Sequence, residues 1–196
     1  MAAILLDKIL ALGRTAGGTA GQTAKAHKWY RDQAVKTTTT GSALFKDAGS
    51  TVLKSNLEVG GMYIFRYDPK LKATLPYYDR FPVVVAFKST KMGFMGLNLH
   101  YLPPAPRAKL LNALYSATTN ERYDVSTKFK IAYATLASAS KFRFYQPCLK
   151  SYLHGHVQSR YLQIQPEQWD IAAFLPIADF QKASIEAVYR DSMKGL

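Results

Sequence analysis

Residues 62–67 read Met-Tyr-Ile-Phe-Arg-Tyr. Tyr63, Phe65 and Tyr67 share one side of an extended chain, and Met62, Ile64 and Arg66 share the other. That alternation predicts a strand with at least one buried face. Gly60-Gly61 supplies a turn before it and Asp68-Pro69 a stop after it. Residues 80–87, RFPVVVAF, are continuous and β-branched, which predicts a second strand buried on both sides. GFMGLNLHYL predicts a third, with Leu97, Leu99 and Tyr101 on one face and Asn98, His100 and Leu102 on the other. The short connections predict an antiparallel meander, and the PPAP run that follows forbids further pairing.

From Arg107 the apolar period changes to that of a helix, with Leu110, Leu111 and Leu114 in one stripe. VSTKFKIAYATLASA places Phe129, Ala132, Tyr133 and Leu136 at the same spacing. PCLKSYLHG, with Pro147 in its first turn and Gly155 at its end, predicts a short third helix. HVQSRYLQIQ reads as a strand returning to the sheet. PEQWDIAAFL and ADFQKASIEAVYRDS read as two closing helices separated at Leu175-Pro176. The expected fold class is α+β: a small curved antiparallel sheet or partial β-barrel followed by packed helices.

The front of the chain reads differently. Ile4, Leu5, Ile9 and Leu12 predict a short amphipathic helix over residues 2–12. Residues 13–56 are rich in Gly, Thr, Ala and Ser, a composition that buries little apolar surface. A flexible N-terminal arm is therefore expected, studded with Lys25, Lys28, Arg31 and Lys36. The expected organisation is residues 1–56 as helix plus basic arm and 57–196 as one globular α+β domain. Ile4, Leu5, Ile9, Trp29 and Tyr30 are the candidate anchors for docking on a partner. Asp7 and Lys8 interrupt the first apolar run, so neither a membrane span nor a secretory signal is expected.

Charge changes the picture most. The chain holds 26 Lys and Arg against 13 Asp and Glu, a net charge of +13. Such an excess adds nothing to fold stability and points to an anionic partner, nucleic acid or an acidic protein surface. Between residues 125 and 165 lie Lys128, Lys130, Lys141, Arg143, Lys150 and Arg160 and no acidic side chain. With His154 and His156 these are the candidate nucleic-acid contacts. Lys141, Arg143 and Lys150 interleave with Phe142, Phe144 and Tyr145, which suits backbone contact plus base stacking. The same alternation also fits a strand with aromatics inward and cations outward.

Catalytic chemistry is poorly provided. A metal-dependent nuclease needs clustered carboxylates, and residues 61–110 offer only Asp68 and Asp79. His154 and His156 could share a metal, but no third ligand is close in sequence. GGTAGQTAKA lacks the Gly-Lys-Ser/Thr ending of a phosphate loop. No catalytic residue, metal or cofactor is expected, and the chain reads as no enzyme. Cys148 is the single cysteine, so no intrachain disulfide is available; a buried structural thiol is expected. LPYYDRFP, residues 75–82, reads as a rigid corner before the second strand. Its prolines fix φ, its aromatics pack, and Asp79 caps backbone N–H groups or pairs with Arg80.

GMYIFRYDPK, LPYYDRFPVVV, GFMGLNLHYLPP with RAKLLNALY, QPCLKSYLHGHVQSRYLQI and EQWDIAAFLPIADFQKA together resemble accessory virion proteins of tailed bacteriophages, especially T4-like and marine myoviruses. The resemblance covers roughly residues 58–192 and is to the DNA end protector type. It implies a non-enzymatic virion protein, assembled in the bacterial host cytoplasm, that binds the phage genome and protects its ends. The alternative is a structural subunit of the tail, baseplate or neck, docked on other virion proteins through its N-terminal arm. An enzyme built on His154, His156 and Arg160 ranks third.

Overall fold

The computed structural model describes residues 5–17, 24–48, 52–118 and 143–194, together with 124, 127 and 134. Eight strands are named in chain order. They are β1 (Leu53–Lys54), β2 (Met62–Ile64), β3 (Tyr78–Asp79), β4 (Val83–Ser89), β5 (Gly93–Asn98), β6 (Leu149–Leu153), β7 (Tyr161–Ile164) and β8 (Phe180–Gln181). Six form one open sheet in the order β1-β7-β2-β4-β5-β6, with every neighbouring pair antiparallel. β3 and β8 pair separately. Six α-helices lie among the described residues: α1 (Leu5–Gly17), α2 (Ala24–Val35), α3 (Gly41–Asp47), α4 (Pro104–Thr118), α5 (Trp169–Phe174) and α6 (Ile185–Met193). The fold is α+β.

The period-2 pattern sorts the sheet into two cores. Met62, Ile64, Val83, Val85 and Leu97 face the helices, where Leu110, Leu111, Leu114, Trp169 and Ile171 meet them. Tyr63, Phe65, Tyr67, Val84 and Ala86 face the other way, with Phe94, Tyr152 and Tyr161. The second strand is thus buried on both sides, and the meander β2-β4-β5 forms as its sequence predicts. The sheet is strongly curved around the aromatic side. Phe94 on β5 and Tyr161 on β7 have two strands between them, yet their ring centroids are 6.0 Å apart. Three flat strand steps would separate them by roughly 14 Å. Phe65 sits at the centre of this curl, 5.1 Å from Tyr152 and 5.5 Å from both Phe94 and Tyr161. Gly93 permits the tight β5–β6 approach, since a Cβ there would lie 1.9 Å from the Tyr152 carbonyl oxygen.

Three local readings are corrected. PCLKSYLHG is not a helix: a 3-10 turn spans Arg143–Cys148, and Leu149–Leu153 is strand β6. The KFRFY alternation likewise ends in that turn rather than in a strand. β5 has an otherwise open edge, and pairing Leu97 with Leu149 through Gly93 with Leu153 satisfies its backbone groups. Pro147 and Gly155 punctuate this strand as they would a helix. In ADFQKASIEAVYRDS only Ile185–Met193 is α-helical, capped by the Ser184 hydroxyl accepting from Ala187 N–H. Phe180 and Gln181 instead pair with Asp79 and Tyr78. The helix expected around Phe129, Ala132, Tyr133 and Leu136 lies outside the described residues.

The expectation of a flexible arm is also corrected for the residues described. Leu6, Ile9, Tyr30, Ala34 and Leu44 are buried in the same apolar cluster as Met62, Val83 and Leu97. Polar contacts lock these helices down. Asp170 of α5 holds both His27 and Arg31 of α2, the latter at 2.6 Å. Arg31 also donates to Asn112 Oδ1 at 2.7 Å, and Gln168 Nε2 donates to Asp7 Oδ1 at 2.6 Å. The Gly- and Thr-rich composition lowers the apolar total, but Leu6, Ile9, Tyr30, Ala34 and Leu44 turn to the core, whereas Leu12 and Val35 stay exposed. Thr40, inside the KTTTTGS run, caps α3 by accepting from Ala43 N–H.

Candidate nucleic-acid interface

Past β2 the chain continues extended through Arg66, Tyr67 and Asp68, and the segment before β7 runs antiparallel beside it. Arg66 N–H donates to Ser159 Oγ at 2.9 Å and Gln158 N–H to the Arg66 carbonyl at 2.8 Å. Tyr67 bridges Val157, and Asp68 N–H donates to the His156 carbonyl at 3.1 Å. His156 donates through Nδ1 to the Asp68 carbonyl at 2.9 Å. On the other flank Tyr67 N–H donates to the Arg80 carbonyl at 3.0 Å, so the corner residue Arg80 lies alongside.

These segments bound a groove of about 300 Å³ that brings together Arg66, Lys72 and Arg80 with Tyr78, Gln158 and Gln181. Two of the three cations have acidic neighbours. Lys72 pairs with Asp68 at 2.9 Å, an exposed contact that raises the lysine pKa through its hydrogen bond. Arg80 reaches Asp179 at a loose 3.6 Å. Arg66 is exposed and has no carboxylate within 4.0 Å among the described residues. Exposed ion pairs of this kind are weak and exchangeable. A phosphate with its charged oxygens competes for such guanidinium groups and forms forked hydrogen bonds with them. Lys182 holds the wall of the groove. It adopts φ 71, and its ammonium donates to the carbonyls of Lys72, Ala73 and Leu75 at 2.5, 2.9 and 3.0 Å.

The corner beneath the groove is built on Asp79, which is 3% exposed. Its Oδ1 accepts from Phe81 N–H and Asp179 N–H at 3.1 and 3.3 Å. Its Oδ2 accepts from Asn98 Nδ2 at 3.2 Å and His100 Nδ1 at 2.7 Å. Asp79 therefore caps backbone groups, whereas Arg80 turns to Asp179 instead of to it.

The residues predicted as nucleic-acid contacts divide sharply. Lys128, Lys130 and Lys141 lie outside the described residues, and Arg143 begins the 3-10 turn. His154 and Arg160 are exposed and His156 is half-buried, all on the segment that borders Arg66. His154 Nδ1 lies 3.2 Å from the Tyr161 hydroxyl. Lys150 points inward, its ammonium 4.0 Å from the centre of the Tyr101 ring. Of the docking candidates, Ile4 lies outside the described residues, Ile9 and Tyr30 are buried, and Leu5 and Trp29 are half-buried against the core. Arg66, Lys72 and Arg80 were missed by sequence reasoning. The signal was the surplus of cations between residues 61 and 110, of which only Arg80 lies in the segment that reads as a rigid corner.

Among the described residues no three His, Cys, Asp or Glu side chains converge as a metal site. No helix there is long and apolar enough to cross a membrane. Cys148 is fully buried, donates to the Tyr145 carbonyl at 2.8 Å, and burial pushes its pKa up to about 12. The thiol follows Pro147, but β6 begins there and no helix start lowers its pKa. A disulfide-exchange reagent at pH 8 is expected to react with Cys148 roughly a thousandfold more slowly than with free cysteine, because the thiolate is so scarce. Full reactivity in urea and near-silence in buffer would bear this out; rapid native labelling would contradict it.

Residues 11–190 match a family model described as phage T4 terminal DNA protecting protein. No curated protein and no solved structure matches the chain.

Proposed function

The chain belongs to the phage T4 terminal DNA protecting protein family, and on that premise we propose that it binds the ends of linear phage DNA and shields them without turnover. The observation that carries this reading is the groove of Arg66, Lys72 and Arg80, with Arg66 exposed and without a carboxylate partner among the described residues. Phosphates of the terminal turn lie along that groove, and His154, His156 and Arg160 extend the contact on its far side. Lys128, Lys130, Lys141 and Arg143 add charge to the same partner. Phosphate contacts supply most of the affinity and position the duplex. Protection follows from occupancy, because an exonuclease must thread the end that the protein covers. The protein acts within the virion, put together in the host cytoplasm beside other virion proteins.

A tail, baseplate or neck subunit is less well supported. That reading used Ile4, Leu5, Ile9, Trp29 and Tyr30 as anchors, and Ile9 and Tyr30 are already consumed inside the core.

Binding to linear and closed-circular duplexes of one sequence, over a salt series and then with an exonuclease added, tests the proposal. Linear DNA is expected to bind more tightly and to resist digestion. Arg66→Gln is expected to weaken binding to every sequence alike and to flatten the log–log salt slope by about 0.9 per lost contact. Equal binding to both forms with unprotected ends would refute end protection.

A further inference from the structure

Beside the basic groove, and sharing Tyr67 and Tyr78 with it, lies a second pocket of about 260 Å³. Tyr77, Tyr78 and Tyr101 line it together with Lys150, Ser151 and Asn98. We propose that this pocket takes one unpaired terminal nucleotide, its base among the tyrosines and its phosphate against Lys150. The inference rests on the end-binding reading above and adds what the protein reads at the end.

Three features point this way. Lys150 is half-buried over the Tyr101 ring, yet no carboxylate lies within 4.0 Å of it among the described residues. A cation drawn out of water without an anion is poorly placed unless a ligand brings one; its burial also lowers its pKa. Asp79, a buried carboxylate that lines the same pocket, is already engaged, because both its oxygens accept two hydrogen bonds each. Tyr77 and Tyr78 are half-buried at the pocket and their hydroxyls have no protein partner among the described residues, so they can meet a base edge, while the buried Tyr101 ring holds Lys150 in place. Finally, the two cavities share Tyr67 and Tyr78 in their walls, which places the pocket next to a strand whose phosphates follow Arg66, Lys72 and Arg80. An aromatic wall stacks any base, and one cation sets the phosphate.

Lys150→Met and Ser151→Trp test this on the full chain, the first removing the charge and the second filling the pocket from an exposed position. Duplexes with blunt ends and with a single unpaired terminal nucleotide, each carrying terminal 2-aminopurine, are titrated with protein. A deoxynucleoside 5′-monophosphate is titrated alone in parallel, and thermal melts check the fold of each variant. The wild-type protein is expected to prefer the unpaired end by about tenfold, in line with one stacked base, and to quench its 2-aminopurine. Both variants are expected to lose that preference and the quenching while still binding blunt ends through the groove. Arg66→Gln is expected to weaken both duplexes equally and keep the preference. Folded variants that retain the preference, or a wild-type protein that neither prefers unpaired ends nor binds the monophosphate, would overturn the pocket. Monophosphate binding that both variants lose, without any preference for linear over circular DNA, would leave the pocket standing and refute end binding.

Discussion

Asp79→Ala is expected to cost the fold roughly 3–5 kcal/mol, because it leaves several buried hydrogen-bonding groups unsatisfied at about 1–3 kcal/mol each. For a chain of this length that lowers the melting temperature by roughly 10 °C. The carboxylate joins three pieces of chain: the corner itself through Phe81 N–H, the end of β5 and the turn after it through Asn98 and His100, and the approach to β8 through Asp179 N–H. Asn98 is 1% exposed and His100 is fully buried, so water cannot replace the lost partner. Asp79→Asn keeps the shape and one acceptor, and is expected to lose less than alanine does. Denaturant unfolding of both variants, with His100→Ala alone and combined with Asp79→Ala, isolates the coupling. A loss below about 1 kcal/mol for Asp79→Ala would contradict this account, since that is the scale of an ordinary neutral hydrogen bond.

Asp170→Ala is expected to have a comparable total effect, roughly 3–5 kcal/mol, but a different distribution over the molecule. Asp170 lies on α5 and meets His27 and Arg31 on α2, more than a hundred residues earlier in the chain. The Arg31 side chain is only 12% exposed, and without Asp170 it keeps the Asn112 bond and its place over the Phe174 ring. The loosened element is therefore the layer of α1 and α2, while the β2-β4-β5 meander keeps its own pairing. Hydrogen exchange is expected to accelerate first in α1 and α2, as a sub-global opening. Uniform acceleration through the sheet, or none anywhere, would show that these helices do not depend on the buried pair. Loosening this layer also exposes Leu6 and Ile9, which face the core.

Much of the sheet is determined by the sequence alone. The two-residue alternation from Met62 to Tyr67 assigns each side chain to a face, because a strand has no other way to segregate apolar from polar groups. The unbroken Val83–Ala86 run demands cover on both sides, and Leu110, Leu111 and Leu114 demand a helix packed on one. Those signals are local, and the structure follows them. Strand β6 is different. Pro147 and Gly155 fit a helix as well as a strand, and the open edge of β5, dozens of residues earlier, makes the choice. The N-terminal helices are different again. Their composition is that of a linker, and only the distant Asp170 and the apolar floor of the sheet give Leu6, Ile9 and Tyr30 somewhere to go.

The same division runs through the candidate site. Summing charge along the chain shows the excess of cations, and with it the class of partner. It does not show that Arg66, Lys72 and Arg80 line one groove, that the segment carrying His154, His156 and Arg160 lies beside it, or that Lys150 leaves that set to face Tyr101. Charge is additive along a sequence, whereas a binding surface depends on which strands pair and which way each side chain turns. Both are settled only when the antiparallel partner arrives.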